Sequence, residues 1–376
     1  MNQPVRVLNL FTIMNRGGAE TMVMNYYRKI DRTKVQFDFM VHRQERGAYD
    51  DEIEALGGRI FRMSPIAPAT LGKYLRELQD FFQSHPEYRI LHAHMSELGY
   101  FAFKEAKKWG VPVRICHAHN VPVFLNETFK EKVKRVPREI LAHQIRKLST
   151  DCFACSKEAG FWLFGRKRQF TVMKNAIDTS RFIYDKNNAQ RIRREYDWDD
   201  KFVIGHVGRF CPQKNHQFVV DVFNEIQKEL PQSVLVLIGD GPLKEQIQYK
   251  VESLSLADKV FFLGNRDDVN LFYQAFDIFL FPSLYEGFGN VLLEAQAAGL
   301  MSFTSKDVVP LEARVTSLLH YIPLSCTTTE WKNIILRNRL YERKDMSKDI
   351  LSRGYDITEN ASWLCDFYLK KYQEYE

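Results

Sequence analysis

The sequence predicts an α/β protein made of two doubly wound parallel-sheet domains, and three observations lead there. Short apolar runs of strand length alternate with amphipathic helical stretches, and the alternation passes through the chain twice. A length of 376 residues suits two domains of ordinary size. A polar, charged stretch, 178–201, interrupts the pattern, and a fresh apolar run opens at Phe202.

In the first half the strand candidates are 5–11, 35–41, 59–63, 89–93, 111–116, 152–155 and 171–173. In the second half they are 203–207, 234–238, 260–263, 278–281 and 301–304. The final stretch, 356–372, reads as an aromatic-rich helix with no strand after it. The expected division is 1–185, 186–355 and a terminal helix over 356–376.

Hydrophobic content of 45% and charged content of 27% fit a globular chain. The apolar runs fall far short of the ~20 residues that cross a bilayer. VRVLNLF at 5–11 reads as a first strand, not a signal peptide, so a cytoplasmic protein is expected. Six cysteines make no disulfide framework and imply a reducing compartment. Cys152 and Cys155 form a lone CxxC, but residues three apart on a strand face opposite ways.

The net charge of +6 is unevenly spread. Residues 1–180 hold 29 Lys and Arg against 19 Asp and Glu, hence +10, and the remainder carries −4. A basic front half suits an anionic partner. The basic residues concentrate at Lys130, Lys132, Lys134, Arg135, Arg138, Arg146 and Lys147, then Arg166 to Arg168, with Phe124, Leu125 and Phe129 beside them. That mixture suits docking on an anionic membrane face. The plainer reading is a solvated basic helix, paired along its length with Glu127, Glu131 and Glu139.

The stretch richest in chemistry is FPSLYEGFGNVLLEAQAAG, residues 281–299. A buried strand should end at Phe281, and a helix should start between Phe288 and Asn290 and stop before Gly299. Glu286 then precedes the helix and Glu294 lies just over one turn inside it. Helical side chains lean toward the N-terminus, so both carboxylates flank the helix start. Backbone N–H groups there favour an anion. Donors for a phosphate beside acceptors for hydroxyls are what a sugar nucleotide requires. Two Glu residues alone would better suit an ordinary solvated helix face, since Glu is common on helices.

Other strand-to-loop junctions carry candidates. Gly17 and Gly18 open a helix after the first strand, with Glu20 in its first turn; the G-x-G-x-x-G dinucleotide pattern is absent. His92 and His94 follow one strand, and His117 and His119 another. Histidines at strand ends invite a zinc reading, but no Cys₂His₂ or HExxH spacing supports it. Gly208, Arg209 and Lys214 follow the first strand of the second half, where an Arg and a Lys can neutralise a diphosphate. Gly239 and Gly241 end the next strand beside Pro242. Asp197-Trp198-Asp199 is a D-x-D triplet, but it lies in the charged interdomain stretch and not at a strand end.

Taken together these strings resemble the family 4 retaining glycosyltransferases of the GT-B fold, and particularly enzymes of bacterial capsule and exopolysaccharide synthesis. The resemblance covers nearly the whole chain and is more specific in the second half. It implies two Rossmann-like domains facing a cleft, the first binding the acceptor and the second the nucleotide sugar. The C-terminal helix of such folds often crosses back to the first domain.

By the same resemblance, Glu286 lies by the donor sugar and Glu294 binds the ribose hydroxyls. Arg209 and Lys214, spaced Gly-Arg-x₄-Lys, bind the diphosphate. Gly17 and Gly18 face the phosphates, and His117 or His119 lies near the sugar, with the choice between them open. Asn175, in the string Val172 to Asp178 followed by Phe182, corresponds to an interdomain motif; Lys174 and Ala176 replace its usual Pro and Gly. Gly208, Gly239, Gly241, Asn265 and Arg266 line the nucleotide, the last two through their backbone. Gly287, Phe288, Gly289, Asn290 and Val291 form the helix start against the donor. Lys306-Asp307-Val308 stands where the family carries glycines, and Glu312 corresponds to its following Glu.

The implied function is transfer of a sugar from a UDP- or GDP-linked donor to a lipid-linked glycan, with no metal or cofactor and no nucleic acid. The catalytic set is Glu286, His117 or His119, Arg209 and Lys214, and the implied location is cytoplasmic, peripheral at the inner membrane face. The rivals are a nucleotide-sugar 2-epimerase of the same fold class and a catalytically silent sugar-nucleotide-binding protein. A nucleic-acid binder could use the basic half, but aromatic stacking motifs are missing.

Overall fold

A computed structural model describes residues 3–120 and 129–375, and of residues 129–136 only the backbone. The chain divides into two units. The first comprises Met1–Ala176 with Ile357–Glu376, and the second Ile177–Asp356.

The first unit contains β1 (Val5–Phe11), β2 (Val35–Val41), β3 (Ile60–Arg62), β4 (Ile90–Ala93), β5 (Val113–Ala118), β6 (Asp151–Ala154) and β7 (Thr171–Val172). They form one parallel sheet in the order β3-β2-β1-β4-β5-β6-β7. Every residue of β2 is buried, as expected of a parallel sheet covered on both faces. Successive side chains supply opposite cores. Val7 and Ile90 pack in one cluster with Tyr26 and Tyr27 of the helix Gly18–Lys29 and Tyr368 of the helix Ile357–Gln373. Leu8 and Leu91 pack in the other with Leu78 and Phe103.

The second unit contains β8 (Phe202–Val207), β9 (Ser233–Ile238), β10 (Val260–Gly264), β11 (Ile278–Phe281), β12 (Met301–Ser305) and β13 (Leu319–Ile322). Its parallel order is β10-β9-β8-β11-β12-β13. Strand order reverses between β8 and β11, and open α/β sheets bind ligands beyond the carboxyl ends of strands at such a reversal.

Three sequence expectations need correction. β13 was not anticipated: it has four residues, its middle pair His320 and Tyr321 is only partly buried, and Pro323 follows at once, so it gives little apolar signal. β5 runs two residues past the expected 116, which puts His117 inside the strand. His92 likewise lies inside β4, not after it.

No helix among the described residues is long and apolar enough to cross a membrane. Of the basic run, Phe124, Leu125 and Glu127 lie outside the described residues, as do the side chains of Phe129, Lys130, Glu131, Lys132, Lys134 and Arg135. Arg138, Arg146 and Lys147 continue that run on the helix Phe129–Leu148.

Candidate active site

In the second unit the loops that leave β8 and β11 are sewn together. After β8 come Gly208 and Arg209, a turn over Pro212–Lys214, and Asn215 with φ 54°, which opens the helix His216–Glu229. Asn is among the few residues with a side chain that adopt this left-handed backbone readily. After β11, the Leu284 amide donates to the Gln213 carbonyl at 2.8 Å. Gln213 Nε2 donates to the Tyr285 carbonyl at 2.9 Å, and Asn215 Nδ2 to the Pro282 carbonyl at 3.1 Å.

Onto this frame are fixed two of the predicted residues. Lys214 Nζ lies 2.5 Å from Glu286 Oε1 and 4.8 Å from the centre of the Phe281 ring. Ser283 Oγ lies 2.6 Å from the same carboxylate oxygen and 2.8 Å from the Gln213 carbonyl. Glu286 is 8% exposed, so these bonds replace water. Arg209, by contrast, is exposed on the loop.

The next strand presses its backbone on this loop. Gly239 and Gly241 have φ of 137° and 155°. A Cβ at Gly239 would stand 2.2 Å from the Gly208 carbonyl oxygen, and one at Gly241 2.6 Å from that of Phe210. Glycine is required at both positions for conformation and for space. Asn265 is exposed after β10, while the Arg266 guanidinium is held by Asp268 at 2.8 and 2.7 Å and lies over the Phe272 ring.

The helix Asn290–Ala297 starts where expected, with Gly289 as N-cap at φ 89°. Gly287 and Phe288 are buried just ahead of it, the Phe288 ring stacked on Tyr355 at 5.3 Å, and Val291 is partly buried in its first turn. Glu294, one turn inside, accepts a hydrogen bond from Tyr273 Oη at 3.0 Å through Oε2. Burial pushes the Glu294 carboxyl upward in pKa, while the Tyr273 bond and the charge of Arg181 pull it down. The Glu286 amide donates to the Val308 carbonyl at 3.1 Å. Asp307, standing where the resemblance led to glycines, has φ 68°, so the backbone there keeps a glycine-like conformation. Glu312 lies in the short turn Leu311–Ala313, and its carbonyl accepts from Tyr355 Oη at 3.3 Å.

In the first unit Gly17 caps the helix that begins at Gly18, and the Glu20 carboxylate folds back over it. His92, His94, His117 and His119 share one sheet face, because each H-x-H string has the two-residue period of a strand. His117 is fully buried, whereas His119 lies just past β5 and is 9% exposed. His94 bonds through Nδ1 to His119 Nε2 at 2.9 Å and through Nε2 to Asn9 Oδ1 at 3.2 Å, and His92 Nδ1 bonds to Tyr368 Oη at 2.6 Å. Burial holds all four imidazoles below their usual pKa, His119 at about 3, so they are neutral.

Nitrogens of His92, His94 and His117 lie within 4.8 Å of one another, the spacing of a possible metal cluster. The His92 and His117 rings are stacked, however, with 13° between their planes, and both His94 nitrogens are engaged. His92 Nε2 and both His117 nitrogens are buried without a hydrogen-bond partner among the described residues. Asn175 is buried after β7. Of the D-x-D triplet, Trp198 is buried in the second unit's core and Asp197 has φ 56°. These residues precede β8, at the opposite end of the strand from Gly208.

Sequence reasoning missed Ser283 and Tyr273, which bond the carboxylates of Glu286 and Glu294, and Gln213, which holds the loop after β11. It also missed His216, which is buried under the Gly208 loop, stacked on Phe210 at 4.0 Å and pushed down by burial to a pKa of about 2. Their signal lay in adjacency: Gln213 precedes Lys214, and Ser283 lies three residues before Glu286.

The chain is similar to known proteins along most of its length. Residues 188–315 match the family model described as glycosyl transferases group 1, and residues 17–159 match the glycosyl transferase 4-like domain. A provisionally named glycosyltransferase, EpsF of Bacillus subtilis, is 34% identical over 373 residues, covering 96% of each chain. A Staphylococcus aureus capsular polysaccharide biosynthesis glycosyltransferase, CapH, is 23% identical over 98% of this chain and 99% of its own. An Escherichia coli UDP-Gal:alpha-D-GlcNAc-diphosphoundecaprenol alpha-1,3-galactosyltransferase is 28% identical over 72% of each.

Among solved structures, Anabaena HepE in complex with UDP and glucose superposes with a TM-score of 0.79 at 18% identity, over 97% of this chain and 100% of its own. WaaG, a glycosyltransferase involved in lipopolysaccharide biosynthesis, gives 0.61 at 16% identity over 96% and 95%. At such identities these likenesses establish the fold, GT-B with two parallel-sheet Rossmann-like domains. With kinship along its whole length to EpsF, the chain belongs to the glycosyl transferases of group 1 and is a glycosyltransferase.

Proposed function

We propose that this glycosyltransferase transfers a sugar, with retention of anomeric configuration, from a nucleotide-sugar donor to a lipid-linked glycan in cell-surface polysaccharide synthesis. The observation that carries the donor half is the joined pair of loops at the β8/β11 reversal. It sets Arg209 and Lys214, a helix N-terminus, and the carboxylates Glu286 and Glu294 within one unit. As the bond from the anomeric carbon to the diphosphate breaks, the electron pair leaves with the nucleoside diphosphate. Arg209, Lys214 and the helix start at Asn290 stabilise that charge, a role preorganised donors fill without rearrangement. Glu294 accepts the ribose hydroxyls, Glu286 lies against the sugar, and the Gly239 and Asn265 turns offer backbone to the base.

In this reading the first unit receives the acceptor. His119 is the better placed of its two candidate histidines, because it lies just past the end of β5 and retains exposure where His117 has none. The lipid-linked acceptor is supported by relatives: the Escherichia coli galactosyltransferase is named for a diphosphoundecaprenol substrate, and CapH for capsular polysaccharide. A nucleotide donor is supported by HepE, solved with UDP and with UDP-glucose. The +10 balance of residues 1–180 supports docking at the anionic inner face of the membrane.

A screen of UDP- and GDP-sugars by thermal shift tests the donor half, since a ligand stabilises in proportion to RT ln(1 + [L]/Kd). One nucleotide sugar should raise the melting temperature and then release nucleoside diphosphate only when a lipid-linked glycan is added. Stabilisation by none of them, or release to water alone, contradicts the reading.

A further inference from the structure

Tyr273 lies on the helix Val269–Ala275 and is fully buried, yet its hydroxyl reaches Glu294 Oε2 at 3.0 Å. Its alternative acceptor, the Val291 carbonyl, is more distant at 3.4 Å and belongs to the same helix as Glu294. One buried hydroxyl thus sets the rotamer of a half-buried carboxylate and takes one of its two oxygens. Oε1 makes no bond to another described residue and is left for a ligand.

The backbone around this contact is fixed from a third side. Arg343 donates to the carbonyls of Tyr273 at 2.5 Å, Gln274 at 2.6 Å, Phe276 at 3.1 Å and Ala298 at 3.0 Å. Ala298 is the C-cap of the helix that carries Glu294. A single guanidinium therefore ties the segment bearing Tyr273 to the end of the helix bearing Glu294. It is itself stacked over the Tyr184 ring at 4.3 Å. Planar geometry and five donors suit Arg, and not Lys, to bridging several carbonyls.

We propose that Tyr273 is a positioning residue for the donor-binding carboxylate Glu294, and that Arg343 locks the backbone on which both stand. This rests on the reading of Glu294 as the ribose acceptor. The hydroxyl holds Glu294 in the rotamer that presents Oε1 to the ribose, so the ordering cost is met before the donor arrives. Recognition of the ribose then depends on a residue that never touches it.

The test compares UDP with 2′,3′-dideoxy-UDP by calorimetry on the full chain and on Tyr273→Phe, Glu294→Gln and the double variant. Phe keeps the ring packing, and the melting temperature reports whether the fold survives. Tyr273→Phe is expected to weaken UDP about tenfold and to leave the dideoxy analogue unchanged, the loss of one well-placed hydrogen bond to a charged group. The double variant should be no worse than Glu294→Gln alone. Equal weakening of both ligands by Tyr273→Phe means a general structural role and overturns the proposal, as does wild-type affinity for UDP. If Glu294→Gln itself fails to distinguish the two ligands, the ribose reading falls and the positioning proposal falls with it. If Glu294→Gln distinguishes them and Tyr273→Phe does not, only the positioning proposal falls.

Discussion

Lys214 and Glu286 form an ion pair of 2.5 Å that joins the loop leaving β8 to the loop leaving β11. Both side chains are largely buried, at 18% and 6% exposure. Removing one partner of such a pair costs more than the pair itself contributes, because the other charge is left without compensation. Lys214→Met should therefore destabilise the chain by about 1–3 kcal/mol, less than a fully buried pair because Ser283 still bonds Glu286. Urea denaturation measures this, and an unchanged midpoint would show that the pair is not formed in solution.

The same lysine is expected to act on the diphosphate. Lys214→Ala and Arg209→Ala should each lower kcat about 10²–10³-fold, the usual effect of losing a preorganised charge at a leaving group. Arg209 is the cleaner test, since it is exposed and its loss should leave the melting temperature alone. A kcat near wild type in Arg209→Ala would remove it from the diphosphate.

Glu294→Ala should weaken binding of the nucleoside diphosphate by roughly 1.5–3 kcal/mol for each hydrogen bond lost to the carboxylate. Calorimetry with the nucleoside diphosphate, which lacks the transferred sugar, isolates the ribose contribution. Unchanged affinity would assign Glu294 a role in packing with Tyr273 alone.

Buried neutral histidines make the fold sensitive to acid. Desolvation holds His42 and His206 at about 4 and His119 at about 3, with His92, His94 and His117 also lowered. The unfolded chain binds protons that the folded chain does not between those values and the ordinary 6.5. Stability is thus complete above about pH 6.5 and falls as pH drops toward 4, by up to about 1.4 kcal/mol per pH unit for each such histidine. Denaturant midpoints measured from pH 7.5 to 5 should decline steeply, and a flat profile would mean that the imidazoles are accessible to protons in the native state.

Docking on a membrane is tested by sedimentation with vesicles. Binding should require anionic lipid, weaken as salt rises, and weaken again when Lys132, Lys134 and Arg135 become Glu, each cation contributing about 1 kcal/mol at such a surface. Equal recovery with neutral and anionic vesicles would favour an acceptor free in solution.

Much of this was legible in the sequence, for identifiable reasons. Parallel strands buried on both faces are continuous apolar runs, so the apolar runs 35–41 and 278–281 coincide with β2 and β11 to the residue. The helix before Gly299 was legible because glycine marks both of its ends. β13 was not, since a short edge strand with His and Tyr in its middle lacks apolar contrast. Arg343 was invisible for another reason. It sits in the charged string RNRLYERKD, where an arginine reads as surface, and only the fold brings four carbonyls to it. Tyr273 likewise reads as one more core aromatic until the helix of Glu294 is laid beside it.

The stereochemistry of the product tests the central claim most directly. Purified protein, the donor found in the thermal-shift screen and a lipid-linked glycan are incubated in chelator, and the new linkage is examined by NMR. An α-linked nucleotide sugar should give an α-linked product, formed as fast with chelator as without. A β-linked product, or activity that chelator abolishes and a divalent cation restores, would contradict a retaining transfer whose leaving charge is carried by Arg209, Lys214 and a helix start.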